Sequence, residues 1–294
     1  MLLIKIVKLI LREIKENIEI FFCQNYLPTS IYINYFKLRT KLKIKRDLSI
    51  CLKDKLFRLN DVIENENIYW HFPTNLRYRG LIRYVNGIKW QGRMMGKTYG
   101  FNKLNFESGD IIIDCGANFG DILLYFYNLN LRNLVYYGFE PGKLEFDALN
   151  KNVENPKITG FVFNKALGDK DGLQKFYYSP EGADSSLEKP KNYSSTFIVE
   201  TLTLDNFIIK ENLSNKRIKL LKLEAEGFEP EILLGAKNSL KNIEYICADL
   251  GPERGVAQNC TVAEVNVILE RAGFSMQSFN NCYRAIYKNK NLMI

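Results

Sequence analysis

Ile111-Ile112-Ile113-Asp114-Cys115-Gly116-Ala117-Asn118-Phe119-Gly120 is the stretch on which the fold of this chain turns. An apolar run ends in Asp114 and opens into a turn with small residues at Gly116, Ala117 and Gly120. A short apolar run closed by such a turn reads as a buried strand feeding a helix. The glycines remove Cβ atoms, so backbone can approach a ligand closely. Further on, Val135-Tyr136-Tyr137-Gly138-Phe139 leads into Glu140-Pro141. An acid ending the second strand of such a unit can accept hydrogen bonds from both hydroxyls of a ribose. The pair of strands therefore predicts an α/β unit that binds an adenosine-containing cofactor.

The turn also discriminates between cofactors. A dinucleotide site asks for G-x-G-x-x-G after the first strand, and Asp114 stands where the first glycine would be. A carboxylate is a poor neighbour for a pyrophosphate and a good one for a cation. S-adenosylmethionine (SAM) carries an ammonium and a sulfonium and no phosphate, so the charge favours SAM over NAD. A strand-to-helix turn with no ligand is the plain structural alternative.

The pattern alternates outward from this stretch. Strand 111–114 is followed by a helix over Asp121–Asn130, strand 134–139 by a helix over Leu144–Val153, and strand 160–164 by Lys165-Ala166-Leu167-Gly168. Residues 169–205 form an insertion with strand character at Gln174–Tyr178 and Thr196–Thr203. Strand 218–223 precedes a helix over Pro230–Ser239, and strand 243–249 precedes one over Val262–Ala272. Phe274–Phe279 and Tyr283–Tyr287 read as a terminal hairpin. Strands alternating with helices predict a mostly parallel sheet. Upstream, residues 1–60 read as helical and basic, and residues 61–108, rich in aromatics and glycine, as short strands and loops. The expected division is an extension over 1–104 and a cofactor-binding domain over 105–294.

Composition bounds the rest. The 294 residues are 46% hydrophobic and 25% charged, ordinary for a globular chain with a sizeable core. Residues 1–58 hold 13 Lys/Arg against five acids, which accounts for the whole net charge of +8. Apolar residues Leu2, Leu3, Ile6, Leu9, Ile10, Ile14, Ile18, Phe21 and Phe22 recur between charges, the spacing of an amphipathic helix. No uncharged run approaches the roughly 18 residues a membrane span needs, and no signal-peptide pattern is present. Two readings of residues 1–22 stay open: packing on the domain or at a dimer interface, and lying on an anionic membrane surface. No nucleic-acid motif accompanies the basic segment, so nucleic acid is not the expected partner. Six scattered cysteines without a C-x-x-C, and a lone histidine, argue against zinc and for free thiols in a reducing cytoplasm.

Four motifs then occur in order: Asp114–Gly120, Phe139-Glu140-Pro141, Ala166-Leu167-Gly168 and Leu220-Leu221-Lys222-Leu223-Glu224-Ala225-Glu226-Gly227-Phe228-Glu229. Together they resemble the FkbM-type methyltransferases over roughly residues 105–290. The resemblance implies a class I, Rossmann-like SAM-dependent fold with a mostly parallel sheet and a terminal antiparallel hairpin. It implies O-methylation of sugars or other hydroxylated compounds, here a glycan or glycolipid precursor. It further implies that Asp114 lies near the methionine ammonium, that Gly116, Asn118 and Gly120 shape the turn beneath it, that Glu140, with Pro141, binds the ribose, and that Ala166 and Leu167 border the adenine. The family's K-I-D-V-E-G pattern has Asp where this chain has Glu224.

Candidates for a base come from the strand ends. Glu224 and Glu226 share a face if the fourth strand continues that far; they would raise each other's pKa, or hold a divalent cation with Asp249. The plain alternatives are a first-turn acid for Glu226 and a turn former for Asp249. His71, the loop Pro180–Leu187 as a lid, and a wall of Arg77, Tyr78, Arg79, Trp90 and Arg93 are further candidates, each balanced by a packing or surface-loop reading. Two competing functions remain: a nicotinamide-dependent oxidoreductase, and a non-catalytic scaffold on a methyltransferase-like fold.

Overall fold

The computed structural model describes residues 2–53, 56–63, 65–70, 78–129, 131–179 and 185–292. They divide into two units, Met1–Gln91 and Gly92–Ile294. The first begins with helices α1 (Leu2–Tyr26) and α2 (Thr29–Arg39), separated at Pro28, which caps α2 where its missing N–H costs nothing. A π-helical turn, Thr40–Ile44, ends at left-handed Lys45. Three antiparallel strands follow: β1 (Leu48–Lys53), β2 (Leu56–Asp61) and β3 (Glu66–Trp70). The helical reading of residues 1–60 fails at 48–53 and 56–60, which are the paired strands of this sheet's first hairpin. The physical reason is burial on one face: Leu48 and Ile50 lie opposite Asp61 and Leu59 in the register, and all four are buried. Helices α3 (Tyr78–Ile82) and α4 (Ile88–Thr98) complete the sequence before the second unit, whose boundary falls inside α4.

Residues 92–104, grouped with the extension in the sequence reading, belong to the second unit. Gly92 and Gly96, which suggest loop in sequence, lie one helical turn apart on α4. A Cβ at Gly92 would fall 2.4 Å from the carbonyl oxygen of Leu124, and one at Gly96 2.0 Å from the Tyr125 ring. The glycines are close-approach positions rather than helix breakers.

The second unit continues with β4 (Ile111–Cys115), α5 (Leu123–Tyr127), β5 (Val135–Phe139), α6 (Lys143–Asn152) and β6 (Thr159–Phe163). A side sheet of β7 (Ala166–Leu167), β8 (Gly172–Tyr178) and β9 (Ser195–Leu202) interrupts the alternation, followed by α7 (Leu204–Lys210). Then come β10 (Ile218–Leu223), α8 (Glu229–Leu234), β11 (Ile243–Asp249), the small hairpin β12 (Pro252–Arg254) and β13 (Asn259–Cys260), α9 (Val262–Arg271), and the closing strands β14 (Phe274–Phe279) and β15 (Arg284–Asn289). The main sheet runs β14-β15-β11-β10-β4-β5-β6. Its five strands from β11 to β6 are parallel, and β15 joins β11 antiparallel. This is the α/β, mostly parallel sheet with a terminal antiparallel hairpin that the class I reading expects.

Strands β4 and β10 are buried along their whole length, as parallel strands covered by helices on both faces must be. Chain order reverses direction between them, so the crevice beyond their carboxyl ends is the position where open α/β sheets bind ligands. The helix expected over Asp121–Asn130 contracts to Leu123–Tyr127 because i→i+3 bonds tighten both ends, from Leu123 to Gly120 and from Asn128 to Tyr125. No helix among the described residues is long and apolar enough to cross a membrane.

Candidate functional site

Main-chain bonds stitch together the loops at the carboxyl ends of the parallel strands. Ala117 N–H donates to the Phe139 carbonyl at 2.9 Å, Glu140 N–H to Phe163 at 3.0 Å, and Glu224 N–H to Cys115 at 3.3 Å. Gly116 has φ +70°, and a Cβ there would lie 1.9 Å from the Glu224 carbonyl oxygen. The turn after β4 and the loop after β10 thus meet with no room for a side chain. Asn118 also takes a left-handed φ, +49°, and its side-chain oxygen accepts from Phe119 N–H.

Glu140 sits between two of these loops. Its Oε2 accepts from Asn118 N–H at 2.8 Å and its Oε1 from Gly142 N–H at 2.7 Å. A carboxylate offers about four lone-pair sites, so each oxygen retains capacity for one more donor. Burial, reinforced by Glu145, pushes this carboxyl up to about 8, against the pull of the two amides. Asn164 holds the neighbouring main chain by donating to the Glu140 and Pro141 carbonyls.

The centre of the site is a residue the sequence reading passed over. Lys222 is buried to 2% exposure, one position before the end of β10 and opposite Asp114 in the parallel register. Its Nζ lies 3.2 Å from Asp114 Oδ1 and 2.7 Å from Glu224 Oε2, and donates to the Gly116 carbonyl at 2.6 Å and the Cys115 carbonyl at 3.3 Å. Burial pulls its ammonium down, but the two carboxylates outweigh that and hold it well above the ordinary lysine value. The available signal was a cation inside Ile218–Leu223, where a buried charge needs a partner.

Asp114 is fully enclosed. Its other oxygen accepts from the Tyr136 hydroxyl at 2.6 Å. Gly138 makes that contact feasible, since a Cβ there would lie 2.8 Å from the Tyr136 ring. Burial raises the Asp114 carboxyl, with Lys222 opposing. The carboxylate therefore meets an internal cation, Lys222.

The other expected carboxylates separate into two groups. Glu224 accepts from the Tyr99 hydroxyl at 2.7 Å and faces Arg284 at 3.8 Å. Burial works against its charge, but Lys222 and Tyr99 prevail and hold it below the usual range. Asp249 pairs with Arg284 at 2.7 Å, and the Arg284 guanidinium lies 4.7 Å over the Tyr99 ring. Glu224 is lowered, not raised as expected beside a second acid, and the strand ends at Leu223, so alternation does not carry to Glu226. Glu226 instead has φ +51° and shares a hydrogen bond with Glu253, a residue the sequence reading missed. Burial and the Asp249 charge push the Glu253 carboxyl up to about 7. A Cβ at Gly251 would fall 3.0 Å from Glu253 Oε1 and 3.6 Å from Asp249 Oδ1, so both acids crowd that glycine.

The expected cation site of Glu224, Glu226 and Asp249 is not formed. Glu224 and Asp249 are neutralised by Lys222 and Arg284, and no group of three or more metal-ligating side chains is assembled among the described residues. The first-turn role considered for Glu226 belongs to Glu229, whose Oε1 accepts from the N–H groups of Ala225 and Gly227. Ala166 and Leu167 are buried in the side sheet against β9. Ser186 donates to the Ala225 carbonyl at 3.2 Å, tying the end of the insertion to the β10 loop. His71, Arg77 and residues 180–184 lie outside the described residues. Tyr78 is buried, with its hydroxyl on Glu19, and so cannot serve in a stacking wall.

Against this geometry, comparison with known proteins is direct. The family model described as "Methyltransferase FkbM domain" matches residues 114–276, more than half of the chain. The chain is 28% identical over 128 residues to the 31-O-demethyl-FK506 methyltransferase FkbM of Streptomyces tacrolimicus, covering 44% of this chain and 48% of that protein. It is 24% identical over 144 residues to the hexuronic acid methyltransferase AglP of Haloferax volcanii, covering 49% and 57%. The matches thus span about half the length of these curated relatives. Among solved structures, fibrillarin from Aeropyrum pernix with bound SAM aligns at TM-score 0.39 and 11% identity, over 81% of this chain and 96% of that one. The chain belongs to the FkbM methyltransferase family.

Proposed function

We propose that this family member is a SAM-dependent O-methyltransferase acting on a sugar hydroxyl of a glycan or glycolipid precursor. The observation that carries the cofactor reading is Glu140: a buried carboxyl group, fixed by two amides on adjacent loops, whose charged form two diol hydroxyls would stabilise. The turn beside it is glycine-lined and lies at the switch point of the sheet. In this reading Gly116, Asn118 and Gly120 form the floor under the methionine part, Glu140 and Pro141 take the ribose, and Ala166 and Leu167 flank the base. Lys222 fixes the floor through the Cys115 and Gly116 carbonyls, and Asp114 acts by holding Lys222. Bound there, SAM would supply an electrophilic methyl group on a sulfonium.

The chain's own contribution to transfer is positioning and acceptance of a proton. Glu224 is a poor base because its cationic partners favour the ionised form. Asp249 is held by Arg284. The Glu226–Glu253 pair suits the task, since a carboxyl near 7 matches the pH at which a base is most effective. The names of the two relatives, one an O-demethyl substrate and one a hexuronic acid, support a hydroxylated acceptor. The described cysteines are all free.

Transfer of labelled methyl from SAM to a panel of uronic acids, neutral sugars and their lipid-linked forms tests this reading. Labelled methyl ether on a sugar, lost in Glu253→Gln, is the expected result. SAM binding without transfer to any hydroxylated acceptor would leave the scaffold reading in its place.

A further inference from the structure

Helix α1 is turned inside out. Glu16, Glu19, Ile20 and Cys23 share one face by the i, i+3, i+4, i+7 rule, and that is the face turned inward, with Cys23 buried. Its acids are consumed within the unit: Arg39 on α2 lies 3.2 Å from Glu19 and 4.0 Å from Glu16, and the Tyr78 hydroxyl donates to Glu19. The opposite face carries Leu11, Ile14, Ile18, Phe21 and Phe22, each 50% to 60% exposed. The rings of Phe21, Phe22 and Tyr26 pack on one another with centroids 5.7–5.8 Å apart. Exposed apolar side chains continue at Ile31, Leu38 and Leu42. A helix on a water-facing surface has the reverse arrangement, and a run of this kind marks an interaction surface.

Charge selects the occupant. With Glu16 and Glu19 withdrawn onto Arg39, the exposed apolar run is interspersed with exposed Lys15, Lys41 and Lys45. Residues 1–58 hold the entire positive excess of the chain. A second copy would bring an equally basic surface to this one. An anionic bilayer offers both an apolar layer at the headgroup boundary and the opposite charge. Since no described helix can cross a membrane, this one would lie in the interfacial plane. We propose that the α1–α2 face docks the protein on an anionic lipid surface, with Ile14, Ile18, Phe21 and Phe22 inserted and the lysines on phosphate. The proposal is independent of the reaction catalysed by the second unit.

Co-sedimentation of the full chain with vesicles of phosphatidylcholine, with and without phosphatidylglycerol, tests it. Wild type should bind the anionic vesicles and dissociate as salt is raised. Ile18→Ser/Phe22→Ser should weaken partitioning by about a hundredfold, roughly tenfold per half-inserted side chain. A second variant, Lys15→Gln/Lys41→Gln/Lys45→Gln, changes only exposed positions. It should lose preference for anionic vesicles while keeping the wild-type unfolding temperature. Absence of binding by wild type overturns the proposal. So does a wild-type dimer in light scattering that Ile18→Ser/Phe22→Ser converts to a monomer without lipid, which would assign the face to a second copy.

Discussion

Replacing Lys222 by Met keeps most of the volume of the side chain and removes its charge. In the folded protein this leaves Asp114, which is fully buried, and Glu224 without the cation that lies 3.2 Å and 2.7 Å from them. It also strips the donor from the Gly116 and Cys115 carbonyls. Removing one partner of a buried pair costs about 3–5 kcal/mol, because the remaining charge is uncompensated. Two carboxylates share this cation, so a loss toward the upper end is expected. The cost should depend on pH with a definite sign. Without Lys222 both acids titrate upward, so the penalty is full on the alkaline side of neutrality and relieved on acidification as they take up protons. Urea unfolding followed by circular dichroism across that range measures both the size and the slope. Lys222→Met/Asp114→Asn should recover part of the loss, since Asn still accepts from Tyr136. A cost below about 1 kcal/mol, or one that does not vary with pH, would show that Lys222 is not the keystone of the strand ends.

Three further outcomes follow from the same geometry. Gly116→Ala places a methyl 1.9 Å from the Glu224 carbonyl at a φ of +70°; a loss of about 2 kcal/mol or more in stability, with SAM affinity abolished, is expected, and a calorimetric titration at wild-type affinity would contradict it. Glu140 has a folded value of about 8 against an ordinary 4.5, so the ligand-free native state holds an extra proton in that window. Stability should therefore fall as pH rises through it, and Glu140→Gln should flatten the profile of unfolding temperature; an unchanged profile refutes the assignment. Glu253→Gln should lower kcat by about a hundredfold or more and remove the acidic limb, near pH 7, of the kcat profile while leaving SAM affinity intact; loss of affinity with kcat preserved would make Glu253 structural.

The parallel sheet was legible because its signals are local. Apolar runs of five to seven residues between turns place β4, β5, β6, β10 and β11 within a residue or so of their observed ends. The position of Glu140, directly after the last residue of β5, was legible for the same reason. The candidate carboxylates after β10 were harder. Glu226 looked aligned with Glu224 by alternation, but a left-handed residue ends that periodicity, and left-handed Glu is rare enough that sequence does not announce it. Lys222, Tyr99 and Arg284 come from three distant segments and become a network only when β10, β15 and the segment after α4 meet. The β1–β2 hairpin and α4 failed for opposite reasons. Basic residues hid the strand alternation in one, and packing glycines imitated a loop in the other.

The central claim is that the crevice at the ends of β4 and β5 holds SAM through Glu140. Calorimetric titration of the full chain with SAM, with NAD as control and Glu140→Ala beside wild type, tests it most directly. Micromolar SAM binding, absent for NAD and lost in a folded Glu140→Ala protein, is the expected result. No SAM binding by folded wild type, or equal binding by the variant, would contradict the account at its root.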